Sequence, residues 1–285
     1  MNWQDIQYFC AYARSGSLSA AAREFGVDHV TVGRRIAALE QALALRLVDR
    51  LPRSTVLTDA GRAFAQQAAG MADQAQALTR QARNLQANSR ATVRISAPPA
   101  VASWLLAPHV APFCLQQPEI KLVLSGVAAT VALDRGEADI AVRMTRPNEP
   151  DLIAQRVGMM RFALYSHADY ASTPVEQWQF IGYDAALDNT TQQRWLHQIA
   201  QGKALVFEAS DLSSQMAAVR GGLGVAALPR FVGDSDPALQ RLPAPVAAPE
   251  REMWLVTYPD LYRAAPIRAV MAMLAHAVGQ ACPLD

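Results

Sequence analysis

From His29 the chain reads HVTVGRRIAALEQAL, and at about 100° per residue Val32, Ile36, Leu39 and Leu43 fall on one stripe. The opposite face holds Val30, Thr31, Arg34 and Gln41, so it is small, polar and positively charged. Two shorter apolar stripes come first. Ile6, Phe9, Cys10 and Ala13 predict a helix from about Trp3 to Arg14, and Leu18, Ala21, Ala22 and Phe25 a second one that shares its core. Ser17 or Ser19 can cap that second helix, Gly26 suits the left-handed position after it, and Asp28 can cap the third. Helix, short glycine-containing turn, helix is the geometry that sets a second helix in the DNA major groove.

Pro52 and the run RST then mark a turn, and Thr55 to Leu57 is extended, which predicts a small β-wing carrying Arg50 and Arg53. Either arginine there suits phosphate or minor-groove contact; Arg50 equally suits an ion pair with Asp49 or Glu40. Thr58 caps a long helix from Asp59 to about Asn88, ~45 Å at its usual rise. On that helix Phe64, Met71, Leu78 and Leu85 recur at every seventh position, a stripe that another helix has to bury, so these four are the expected dimerisation residues.

After Thr92 the period changes. VRISA, IKLVLSG and ADIAVRM read as strands, separated by a proline-punctuated helix after VRISA and by the helix TVALDRG. Strands alternating with helices argue a mostly parallel sheet with ligands at the carboxyl ends of its strands. RFALYSH opens a second lobe, where SSQMAAVRGGLGVAALP reads as a helix stopped by Gly221 or Gly222 and followed by a buried strand. EMWLVTY and the apolar helix IRAVMAMLAHAV return to the first lobe, and two lobes joined by two crossings enclose a cleft.

Composition sharpens one point. The net charge of +1 divides unevenly: residues 1–95 carry 12 Arg against 7 acids, and the remainder 14 Lys and Arg against 18 acids. A basic head on an acidic body implies a polyanionic partner for the head alone. Cys10, Cys114 and Cys282 are far apart and lack metal-ligand spacing, so neither a disulfide, a metal site nor a cofactor is expected. The amino-terminal stretch has no basic segment followed by an apolar run, and prolines interrupt APPAVASWLLAPHVAPFCL, so a cytoplasmic protein away from the membrane is expected.

The stretch AAAREFGVDHVTVGRRIAALEQALALRLVDR with VLTDAG resembles the DNA-binding domain of LysR-type transcriptional regulators, and the order of parts resembles that family over nearly the whole chain. GEADIAVR and GGLGVAALP carry the resemblance in the second half. It implies an all-α winged helix-turn-helix at 1–62, a linker and dimerisation helix at 59–90, and an α/β two-lobed, periplasmic-binding-protein-like effector domain at 91–285. Lobe I would span about 91–161 and 257–285, and lobe II about 162–256. The implied partners are double-stranded promoter DNA, a small-molecule effector, and a second copy in a homodimer or dimer of dimers, with RNA polymerase as a candidate further contact.

By that resemblance the start of the recognition helix meets bases, which maps to His29, Val30, Gly33 and Arg34. Val30 and Thr31 can touch a thymine methyl, and Arg35, nearer the buried edge, suits a pair with an acid or a phosphate. Gln, Pro and Ser are common in the family where His29, Val30 and Gly33 stand here, so amide readout of adenine is absent at position 29. The effector contacts carried over are Pro99, Ala100, Val101 and Ser103 after the first strand, Ser125 and Gly126 after the second, and Arg143 and Met144 after the third. The facing lobe adds Gly182, Asp184, Ser210 and Ser213. Family members often place hydroxyls where this chain has APPAV, which leaves the amides of Ala100 and Val101 and the guanidinium of Arg143 to hold an anion; Arg143 equally suits a structural salt bridge. No catalytic constellation stands out, since the histidines are isolated and GGLG follows a helix rather than a strand. The alternative is a cytoplasmic two-lobed solute-binding or enzymatic protein with a helical interaction module.

Overall fold

The computed structural model describes residues 2–51, 54–68, 71, 91–127, 138–147, 149 and 151–284. Contacts divide the chain into two units, residues 1–85 and 86–285.

In the first unit α1 (Trp3–Ser15), α2 (Leu18–Phe25) and α3 (His29–Leu43) pack on one another, and β1 (Val48–Leu51) pairs antiparallel with β2 (Ser54–Leu57) as the wing. Each helix starts where a side chain satisfies an orphan amide: Asn2 accepts from the Gln4 N–H, Ser17 from Ala20 and Asp28 from Thr31. Gly26 takes φ 64° and closes α2, with its own N–H and that of Val27 returning to the end of the helix. The core is the predicted one: Ile6, Phe9, Ala21, Val32, Ile36 and Leu39 are buried together.

Two side chains fix the wing. Glu40 accepts the N–H groups of Leu47 and Val48 at 2.7 and 3.0 Å, and the Tyr12 hydroxyl donates to the Thr55 carbonyl at 2.6 Å. Thr58 caps the following helix, α4 (described for 59–68), by accepting from the Gly61 N–H at 2.8 Å. The heptad reading needs a correction at its first member. Phe64 lies against this unit's own core, edge-on to Phe9 with ring centroids 5.7 Å apart, so it has an intrachain partner. Met71 is 47% exposed, and Leu78 and Leu85 lie outside the described residues.

The second unit opens with β3 (Ala91–Ala97), a helix whose first turns are wide (Val101–Leu106) before α5 (Ala107–Gln116), then β4 (Ile120–Gly126) and β5 (Ile140–Arg143). The wide turns precede Pro108, which has no N–H to donate to the Trp104 carbonyl and whose ring crowds it. The predicted helix TVALDRG falls outside the described residues. Next come β6 (Ile153–His167), β7 (Phe180–Tyr183), α6 (Thr191–Ala200), β8 (Leu205–Ala209), α7 (Leu212–Arg220) and β9 (Val225–Pro229). The chain closes with α8 (Arg230–Gly233), β10 (Leu239–Leu242), β11 (Glu250–Thr257), α9 (Pro259–Tyr262) and α10 (Ala265–Ala281).

Among the described residues the strands run β4-β3-β5-β11-β6-β9-β7-β8, with β10 on β6. β3 pairs parallel with β4 and β5, and β7 with β8 and β9, while β6 and β11 are antiparallel to their neighbours. β6 is long enough to serve both lobes: its first half pairs with β11 and its second with β9 and β10. Trp254 to Thr257 of β11 pair with β5, so EMWLVTY joins the first lobe as its sequence suggests, and the crossing lies within β11, a few positions before the approximate boundary at 257. The hydrophobic period marks β11 as a strand but not which strand it joins.

Candidate functional site

α3 presents two faces of opposite character. Val32, Ile36 and Leu39 are buried beneath it, whereas His29 and Arg34 are exposed and Val30 is 66% exposed. A groove of about 530 Å³ runs along this outer face, lined by Leu18, His29, Val30, Gly33, Arg34 and Ala37, with Val48 and Thr55 of the wing on its far side. A Cβ built on Gly33 would meet nothing within 4 Å, so the glycine leaves open room rather than permitting an intrachain contact.

Adjacent guanidinium groups on this helix have different fates. Arg34 has no carboxylate partner among the described residues. Arg35 turns back to α1, with its Nη1 3.3 Å from Oδ1 of the buried Asp5 and its guanidinium 6.0 Å from the Tyr8 ring centroid. Of the two partners that the sequence leaves open for Arg35, an acid or a phosphate, the pair with Asp5 is the acid, and it anchors α3 to α1, so Arg35 does not stand with His29, Val30 and Arg34 on the exposed face. Thr31 is also committed: its N–H and its hydroxyl both serve the Asp28 cap, and these bonds hold the Asp28 carboxyl below its ordinary pKa. Arg50 stands opposite Thr55 in the wing, and Glu40, one of its two candidate acidic partners, is occupied by backbone amides. The Arg50 side chain and all of Arg53 lie outside what is described.

The second unit holds a cavity of about 290 Å³ between its lobes. One wall is the turn after β3 with the start of its helix, where Pro99, Ala100, Val101 and Ser103 stand as expected. Met144 also lines it, and Ser210 and Ser213 flank the start of α7 on the facing lobe. Asp211 caps α7, accepting from the Ser214 N–H at 2.9 Å and the Ser214 hydroxyl at 2.7 Å, which hold its carboxyl below the ordinary pKa.

Five expected residues do not line the cavity. Arg143 is buried in an ion pair with Glu149 at 3.1 Å, the structural alternative for that residue. Gly182 is a packing position: a Cβ there would come within 2.8 Å of the Gln193 amide and of Leu205. Gln193 in turn clamps the end of β7, accepting from the Tyr183 N–H and donating to its carbonyl. Gly126 lies under the β3 turn, where a Cβ would meet Pro99 at 3.3 Å, and Ser125 is exposed in β4, the end strand of the sheet order. Asp184 accepts from the Ala186 N–H in a local turn.

The cavity has walls that the sequence reading missed. Trp104, Met160, Phe162 and Leu212 supply apolar surface, while Tyr183, Thr190, Gln192 and Arg251 supply polar groups. Arg251 pairs in register with Met160, so it stands on one of the two strands that cross between the lobes. Alternation along REMWLVT could have placed it on a defined face of β11, but nothing in the sequence says which face meets a cavity.

The geometry defines a class: a winged helix-turn-helix head with an open cationic helix face, joined to a two-lobed α/β unit with a ligand-sized cleft. Residues 3–62 match the family model described as a bacterial regulatory helix-turn-helix protein of the lysR family, and residues 86–279 match the LysR substrate binding domain. The chain belongs to the LysR family of transcriptional regulators. The Mau operon transcriptional activator of Paracoccus denitrificans is 31% identical over 266 residues, covering 92% of this chain and 91% of that protein. Two solved full-length regulators share the fold. CrgA of Neisseria meningitidis has a TM-score of 0.56 at 22% identity over 98% of this chain and 99% of its own. AphB of Vibrio cholerae scores 0.54 at 22% identity, covering 97% and 99%. Membership in a family of transcription regulators favours DNA binding over the solute-binding or enzymatic alternative. Among the described residues no helix is long and apolar enough to cross a membrane.

Proposed function

We propose that this regulator grips promoter DNA with the outer face of α3, through His29, Val30, Gly33 and Arg34, while the wing arginines Arg50 and Arg53 reach the flanking backbone. The observation that supports this is the contrast between Arg34 and Arg35. The rigid pairing of Arg35 with Asp5 fixes the helix, and Arg34 is left projecting from it beside an unfilled space at Gly33. A guanidinium so placed can reach guanine O6 and N7 or a phosphate, and the missing Cβ at position 33 lets a DNA surface approach the helix backbone.

In this reading residues 1–62 recognise a sequence, the helix to about residue 90 joins two copies through Met71, Leu78 and Leu85, and residues 91–285 sense an effector in the cleft. A molecule there touches both lobes and a crossing strand, so its occupancy can change how paired heads address their sites. Homodimers or dimers of dimers acting in the cytoplasm, with RNA polymerase as a further contact, complete the proposal. Two experiments test it. Arg34→Ala should weaken binding to a fragment from the regulator's own upstream DNA by ~1–3 kcal/mol in a salt-matched gel shift; equal affinity refutes the assignment. Replacing Leu78 and Leu85 by Asp should give monomers in ultracentrifugation, because a buried carboxylate disfavours the seam, and persisting dimers refute the seam.

A further inference from the structure

The cleft contains a cation that no described carboxylate neutralises. Arg251 lines the cavity, is half-buried, and has no carboxylate partner among the described residues. Burial pushes its pKa down from the ordinary value. Two polar atoms of the same lining are buried and unpartnered: the Thr190 hydroxyl oxygen and Oε1 of Gln192. Buried polar groups are ordinarily satisfied, so these two atoms, beside a half-buried guanidinium in the same lining, mark places for a ligand's polar atoms. The acid nearby, Asp211, is already engaged through both carboxylate oxygens by Ser214 at the start of α7.

Resting on the reading of the cleft as the effector site, we infer that the effector is a small organic anion, its charged end held by Arg251 and its apolar body against Trp104, Met160 and Phe162. The cavity of about 290 Å³ lies at the lower end of the usual ~300–1,000 Å³ for ligand pockets, which sets the class at a single ring or short chain. The amides of Ala100 and Val101, at the start of the helix after β3, add positive potential from the facing wall. Because Arg251 pairs with Met160 across the two crossing strands, an anion drawn to it ties its charge to the hinge rather than to one lobe. This gives Arg251 the anion-holding role that the sequence left open for Arg143 beside a structural salt bridge.

Benzoate and its neutral isostere benzamide are the probes, titrated into the full chain and followed by tryptophan fluorescence. Benzoate should bind at least about tenfold tighter than benzamide, and Arg251→Gln should remove that preference while Arg251→Lys retains part of it. Thermal melts check that the variants fold. Equal affinities for the two probes, no detectable binding of either, or an undiminished preference in Arg251→Gln overturns the anion assignment. Ser213→Trp, which fills the cleft, separates this from the underlying reading. Equal binding of both probes that the tryptophan abolishes leaves the cleft a ligand site for neutral molecules. Binding that the tryptophan leaves intact refutes the cleft itself.

Discussion

The outer face of α3 and the interlobe cavity both present an arginine without a carboxylate partner among the described residues, yet they are built in opposite ways. Arg34 stands on an open surface, where water hydrates it fully and only a dense array of charges, such as a duplex backbone, gains much by displacing that water. Arg251 is partly stripped of water by apolar walls, so a single anion of the right size suffices. Exposure therefore decides the kind of partner: a polymer for the first and a small molecule for the second.

The comparison can be broken most severely at the platform beneath Arg34. Phe9 is fully buried, and Phe9→Ala should destabilise the head by about 3–5 kcal/mol, abolishing DNA retention while benzoate binding in the second unit stays unchanged. Loss of both activities in the same melt would show that the two regions are not independent. The pair Arg34 and Arg35 gives a smaller and sharper test. Arg35→Ala should lower head stability by about 1 kcal/mol, through loss of the Asp5 bond and the Tyr8 contact, whereas Arg34→Ala should leave the melt in place. A melt shifted by Arg34→Ala and untouched by Arg35→Ala would reverse the assignment of roles.

The smallest effect concerns the cap. The Asp28 carboxyl has a lower pKa folded than unfolded, so its stabilisation is complete above the ordinary carboxylate range and fades as pH falls through the depressed value. The difference in melting temperature between wild type and Asp28→Ala should narrow on acidification. A gap that is constant with pH would mean that the ionised carboxylate is not what holds the helix start.

How legible each region was follows from how it is built. The head is made of local periods, so Val32, Ile36 and Leu39 identified the buried stripe of α3, and the caps at Ser17, Asp28 and Thr58 stood where the chain placed them. Arg35 was harder because its partner, Asp5, lies thirty positions away on another helix. The cavity walls come from seven separate stretches of chain, so Trp104, Phe162, Gln192 and Arg251 share no spacing that a sequence period could expose. The family's contact positions at the β3 turn and the start of α7 line the cavity, whereas Arg143 takes the structural alternative, because one strand end can point its side chain to a salt bridge or to a ligand.

The most direct measurement is the salt dependence of binding to the regulator's own upstream DNA, wild type against Arg34→Ala. A steep fall in affinity with rising salt, reduced in slope by about one unit in the variant, is what a guanidinium displacing counterions from a duplex requires. Parallel lines of equal affinity for the two proteins would contradict the claim that this face of α3 meets DNA.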